Sequence, residues 1–273
     1  MLRQRSFFVY FCNSILEFMD FSSIFNIDTN AAFEKKALDI FKFQFENNSL
    51  YRSFCDLLYK NPADIHKLED IPFLPIEFFK THSVLSSKAA IEQTFSSSGT
   101  TNSITSQHHI TDLRVYKNSF IKGFEGVYGC IEDFTILALL PSYLERKGSS
   151  LVYMVDDMIK KSGHPKSGFY LDDLKGLRDT LLKLEATGQK TLLIGVSYAL
   201  LDLIEFHQFE LKHTLVMETG GMKGRRKELI KSELHALLKK GFGLETIHSE
   251  YGMTELLSQA YFKNGFESCP SRC

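Results

Sequence analysis

A chain of 273 residues with 44% apolar and 24% charged side chains has ample material for the core of one large domain or two modest ones. Its formal net charge of −1 excludes a basic field that would recruit nucleic acid or an anionic membrane surface. The five cysteines, Cys12, Cys55, Cys130, Cys269 and Cys273, are odd in number and scattered, with no CxxC pair. They support neither a disulfide framework nor a zinc site and point to a reducing cytoplasm. With 24 phenylalanines and no tryptophan, the aromatic content favours apolar filling and a greasy pocket.

The amino terminus, "MLRQRSFFVYFCNSILEF", sets basic residues before an apolar run, as a signal peptide does. Asn13 and Glu17 cut the run short, and no small-residue cleavage site follows. Residues 1–30 therefore read as an amphipathic first helix, or as an extension ahead of a true start at Met19, and 31–273 as one large domain. No stretch is long enough to span a bilayer.

Residues 31–60 read as helices, with Phe41, Phe45, Leu50, Phe54, Leu57 and Leu58 near helical spacing. The two prolines of "IPFLPIEFFKTH" argue for an extended, irregular segment. "AAIEQTF" reads as a short strand, and Thr111 or Asp112 caps a helix with Leu113, Tyr116, Phe120, Phe124 and Val127 on one face. Beyond it the pattern alternates. "FTILALL" is a strand covered on both faces, "SSLVYMVDDMIKKSG" a helix stopped by Gly163, and "LDDLKGLRDTLLKLEATG" a helix stopped by Gly188. Strand "TLLIGV", helix "YALLDLIEFH", strand "HTLVMET", helix "RRKELIKSELHALLKKGFG" and strand "LETIHS" complete the series. The fold class is α/β, a mostly parallel sheet with helices on both faces.

Ligands of open α/β sheets bind beyond the carboxyl ends of the strands, and three unusual loops fall there. "TFSSSGTT" concentrates hydroxyls around one glycine. Such a loop can turn several N–H groups and hydroxyls towards one anion, although Ser/Thr-rich loops without a ligand are common. It is not a Walker A loop, because no Gly-Lys-Ser/Thr follows. "METGGMKGRR" places two adjacent glycines between strand and helix, where a flat ligand could lie on bare backbone; a plain tight turn reads equally well. "HSEYGMTEL" offers an aromatic, a hydroxyl and a carboxylate within five residues. That set suits a base, a phosphate and Mg²⁺, which needs only one or two carboxylates besides phosphate oxygens; an ordinary turn is the alternative.

"SSSGTT" followed about 150 residues later by "YGMTE" resembles the adenylate-forming acyl-CoA synthetase and luciferase superfamily. "IPFLPIEFFKTH", "LLPSYLERKGSSLVYMV" and "TGGMKGRR" in this order resemble its LuxE-type acyl-protein synthetases over roughly residues 35–266. The resemblance implies the fold of the large amino-terminal domain of those enzymes. It implies ATP-dependent activation of a carboxylic, apolar or fatty acid as an acyl-adenylate, for transfer to a thiol of a protein or carrier. Ser96, Ser97, Ser98, Gly99, Thr100 and Thr101 then match the phosphate loop, and Gly220 and Gly221 the glycine step beside the adenosine. Tyr251 matches the adenine-stacking aromatic, Thr254 the α-phosphate contact and Glu255 the magnesium ligand. His248 is the residue expected to face the acyl group. ATP and Mg²⁺ are the implied cofactors, with an acyl-carrier or reductase protein as partner.

The resemblance has two departures. "NSITSQ" lacks the Gly and Lys that commonly continue the superfamily loop. The chain also ends soon after "SQAYFKNGF", where family members continue into a ribose-binding aspartate and a small mobile domain, so a truncated chain is expected. Two other readings stay open: a non-catalytic remnant that keeps the nucleotide fold, and an acyltransferase using a pre-activated donor. No GxSxG surrounds any serine, so Ser-His-Asp chemistry has no signature.

Overall fold

A computed structural model describes residues 21–97, 104–141, 148–222 and 225–262. A 3₁₀ turn, Phe21–Asn26, leads into helices α1 (Asn30–Asn47) and α2 (Ser49–Leu57). Asn48 joins the two helices. Its N–H continues the α1 ladder to the Gln44 carbonyl, while its Oδ1 caps α2 by accepting from the Tyr51 N–H at 3.1 Å. Phe41, Phe45, Tyr51, Cys55, Ile65, Leu74, Phe79 and Val84 form a small apolar cluster. The two-proline segment is irregular as expected up to Glu77, then turns through a short helix α3 (Phe78–Thr81) that buries Phe79.

Strands β1 (Gln93–Ser96) and β2 (Gln107–Ile110) form an antiparallel hairpin, with Phe95 opposite His108 and Ser96 opposite Gln107. The polar "QHHI" of β2 hid this second strand from a reading by apolar runs. Asp112, of the two candidates, caps α4 (Leu113–Tyr128), its Oδ1 accepting from the Arg114 N–H at 2.8 Å.

The main sheet has six strands in the order β4-β3-β5-β6-β7-β8. They are β3 (Thr135–Leu139), β4 (Gly168–Phe169), β5 (Thr191–Val196), β6 (Thr214–Thr219), β7 (His248–Gly252) and β8 (Gln259–Phe262). All neighbours are parallel except β7 and β8. The helices are α5 (Ser150–Ser162), α6 (Leu174–Thr187), α7 (Ser197–Phe206) and α8 (Lys231–Phe242). Every residue of β3 and β5 is buried, which is why these strands read as unbroken apolar runs.

From β3 the chain moves outward to β4, then returns past β3 to β5 and continues to β6 and β7. Right-handed crossovers carry α5 over one face and α6, α7 and α8 over the other. The packing agrees: α5 meets α4, while α7 meets both α6 and α8. The order reverses between β3 and β5, so the crevice of this sheet opens beyond Leu139 and Val196.

Helix α8 begins at Lys231, not at Arg225, because Arg226 is held instead by Asp202 and Glu205 on α7. Its end is set by Gly243, whose φ of 67° and whose 2.8 Å distance from an added Cβ to the Phe209 carbonyl oxygen both require glycine. Strand β4, two residues long, and β8, which follows a turn without apolar spacing, escaped the pattern.

Candidate functional site

The base of the hydroxyl loop is built from the β1–β2 hairpin. The Ser96 N–H donates to the Gly148 carbonyl at 2.7 Å, tying the hairpin to the segment that follows β3. The Ser97 N–H donates to the Ser106 carbonyl at 3.1 Å, and the Ser106 N–H returns to Ser97 Oγ at 2.9 Å. Both N–H groups are therefore engaged, that of Ser97 across the hairpin and that of Ser96 with Gly148. Ser96 and Ser97 shape the mouth of the loop, and only their side chains and the residues beyond them can turn to an anion. Ser98, Gly99, Thr100 and Thr101 lie outside the described residues.

A second tie joins this hairpin to the turn after β7. His108 is buried on β2, and its Nδ1 donates to the Thr254 carbonyl at 3.0 Å, which fixes the proton on that nitrogen. The ring is held edge-on against Phe79, centroid to centroid 5.3 Å. Segments 146 residues apart are thus joined at the carboxyl edge of the sheet.

On that edge β6 and β7 end side by side. Thr219 and Glu250 are the last paired residues, so the chain leaves β6 at Gly220 while β7 runs on through Tyr251. Tyr251 is 44% exposed, and Gly220 and Gly221 are exposed at the end of the neighbouring strand. Glu255 is buried, and among the described residues its carboxylate has neither a hydrogen bond nor an ion pair. A buried group that can only accept suits a divalent cation shared with phosphate oxygens. No cluster of three His, Cys, Asp or Glu side chains suited to a metal occurs among the described residues, so a cation here would depend on phosphate for its other ligands.

His248 stands elsewhere. The expected strand ended at Ser249, placing His248 at its mouth; instead β7 begins at His248 and runs on to Gly252. His248 is therefore at the amino end of the strand, where its Nδ1 meets the Tyr128 hydroxyl at 3.2 Å at the end of α4. Four residues of strand, about 13 Å, separate it from Gly252. The polar "HSEYG" concealed this shift, because it carries no apolar run to mark the strand.

Two buried acids under the edge were not singled out by sequence. Glu218 Oε1 accepts from Lys231 Nζ at 2.6 Å and lies 3.4 Å from His235 Nε2, while its Oε2 lies 3.3 Å from Ser197 Oγ. Burial pushes its pKa up, but His235, Lys231 and Ser249 outweigh this and hold it below the ordinary value. Glu250, one residue on in the next strand, is pushed up to about 7, first by burial and further by the Glu218 charge. Its Oε2 accepts from Thr219 Oγ1 at 2.5 Å. Tyr116 and Gln259 extend this polar layer: Gln259 Nε2 donates to the Tyr116 hydroxyl at 2.8 Å, which donates to the Ser150 carbonyl at 3.1 Å. Only the polar letters at the ends of "VMET" and "HSE" hinted at these acids.

Residues 20–146 match the acyl-protein synthetase (LuxE) family. No curated protein matches the chain in sequence. Among solved structures, a mutant form of coronafacic acid ligase from Pectobacterium brasiliense aligns with 18% identity over 48% of this chain, at a TM-score of 0.32. The chain spans about a quarter of that ligase, 24% of its length. No described helix is long and apolar enough to cross a membrane.

Proposed function

We propose, from the match of residues 20–146 to the acyl-protein synthetase (LuxE) family, that this chain activates a carboxylic acid with ATP. The acid's carboxylate oxygen attacks the α-phosphorus, the bond to the β-phosphate oxygen breaks, and pyrophosphate leaves with the electron pair. The acyl-adenylate is then held for transfer to a thiol of an acyl carrier or reductase partner. Apolar or fatty acids are the substrate class.

The observation that supports this reading best is the His108–Thr254 tie, because it brings the hydroxyl hairpin to the turn that carries Thr254 and Glu255. Tyr251 offers its half-exposed ring to the base, and the Gly220–Gly221 backbone lies at the end of the neighbouring strand. The Thr254 hydroxyl is offered to the α-phosphate. Magnesium, held by Glu255, would supply charge neutralisation at the phosphate oxygens. Positioning and charge are what the protein contributes, which accounts for a site made of hydroxyls, glycines and acids.

The test is acid-dependent exchange of labelled pyrophosphate into ATP, paired with calorimetry of ATP and magnesium. Heat of binding with acid-dependent exchange supports activation. Binding without exchange for any acid points to a non-catalytic nucleotide-binding protein. No heat at millimolar ATP from folded protein removes the nucleotide reading.

A further inference from the structure

Ser197 is the first residue of α7, directly after β5, at the crevice where the strand order reverses. It is buried, 1% exposed, and its hydroxyl has two acceptors within reach: the Gly220 carbonyl at 3.1 Å and Glu218 Oε2 at 3.3 Å. A serine has one proton to give. Glu218 is already served at its other oxygen by Lys231, at 2.6 Å. The Ser197 proton is thereby left for the closer acceptor, the Gly220 carbonyl.

The "GVSYA" setting invites comparison with a nucleophile on a strand-to-helix turn. The surroundings exclude that role. The nitrogen of His235 that could act as a base lies 3.4 Å from Glu218 and 3.4 Å from Ser249, its hydrogen-bond partners among the described residues. The Gly220 carbonyl is not basic, and Glu218, held below its ordinary pKa by His235, Lys231 and Ser249, is a weak base for a serine proton.

The consequence falls on the peptide between Gly220 and Gly221. In a trans peptide the carbonyl and the following N–H point in opposite directions, and no cis bond occurs among the described residues. With the Gly220 carbonyl drawn inward to Ser197, the Gly221 N–H is turned outward. Gly221 is exposed, and its N–H donates to no backbone carbonyl among the described residues. Gly220 accommodates this turn with a φ of 66°, where other residues are strained. The donor so presented follows the end of β6, and the neighbouring strand β7 carries the half-exposed Tyr251.

We infer that Ser197 is a positioning residue for nucleotide binding: it fixes the Gly220–Gly221 peptide so that the Gly221 N–H donates to an acceptor atom of a purine nucleotide stacked on Tyr251. This rests on the ATP reading above and adds to it a residue that never touches the ligand.

The experiment compares the full chain with Ser197→Ala, using AMP and ATP–Mg²⁺ in calorimetry and the Gly221 amide resonance in NMR. In the natural chain AMP should shift that resonance. In Ser197→Ala both nucleotides should bind about five- to tenfold more weakly, the loss of one well-placed hydrogen bond, and the Gly221 shift should shrink. The loss should fall mainly on the KM for ATP and less on the exchange rate at saturating ATP or on the KM for the acid, a split that general loosening of the fold would not produce. Ser197→Cys, near in size but a weak donor, repeats the comparison if the alanine form melts below the assay temperature. Equal nucleotide affinity and an unaltered Gly221 shift in the variant would overturn the Ser197 role while leaving the ATP reading intact. Absence of nucleotide binding by the natural chain would overturn both.

Discussion

Glu250→Gln should make the protein more stable in mild base while leaving it nearly unchanged in mild acid. The Glu250 carboxyl is buried between Thr219 and the Tyr116–Gln259 layer, close to the charge of Glu218, and titrates at about 7 against an ordinary 4.5. Folding therefore favours its protonated form. Between 4.5 and 7 the folded state binds more protons at this site than the unfolded one, so stability falls as pH rises through that window and levels off above it. The full shift of 7 − 4.5 corresponds to about 3.4 kcal/mol, and about 2.5 kcal/mol of it is lost between about pH 5 and about pH 8. Glutamine keeps the shape and can still accept from Thr219, but it has no charge to bury. Urea unfolding of both forms at the two pH values gives the difference of differences, in which titrating groups not coupled to Glu250 cancel. A gain for the glutamine form of about 2–3 kcal/mol on going from acid to base is expected. Identical pH dependence in the two forms would refute the buried, uncharged state of Glu250.

Gly241→Ala should destabilise the chain by about 1–3 kcal/mol, because the new methyl would lie 2.5 Å from Ile204 Cβ where α8 crosses α7; thermal unfolding measures it, and Ile204→Ala in the same chain should recover part of the loss. His108→Ala should cost about 2–4 kcal/mol in urea unfolding, combining the cavity against Phe79 with the lost bond to the Thr254 carbonyl. Glu255→Gln should leave the unfolding midpoint close to that of the natural chain and lower pyrophosphate exchange by about 10²–10³-fold, the effect of losing one electrostatic stabiliser. Unchanged exchange in that variant would remove Glu255 from the site.

Much of the architecture is written locally and so is legible in the amino-acid order. The runs of β3 and β5 are apolar because both faces are covered, the helix stops at Gly163, Gly188 and Gly243 need a left-handed residue, and Asp112 supplies a cap. The motif letters of "SSSGTT", "TGGMKG" and "YGMTE" announce a class of chemistry for the same reason: hydroxyls, bare backbone and a carboxylate are what phosphate, a flat base and a cation require. What the tertiary structure alone decided are relations between distant segments. The pairing of β7 over His248–Gly252 moved His248 from the mouth of the strand to its base, since polar residues inside a covered strand leave no periodic mark. Bonds to Gly148 and Ser106 took the N–H groups of Ser96 and Ser97 away from any anion, a fact of tertiary pairing that no spacing expresses. The roles of Ser197, Glu218 and Glu250 likewise follow from burial and from neighbours across strands: His235, Lys231 and Ser249 offset burial and keep Glu218 an ion, while burial and the Glu218 charge push Glu250 up to about 7.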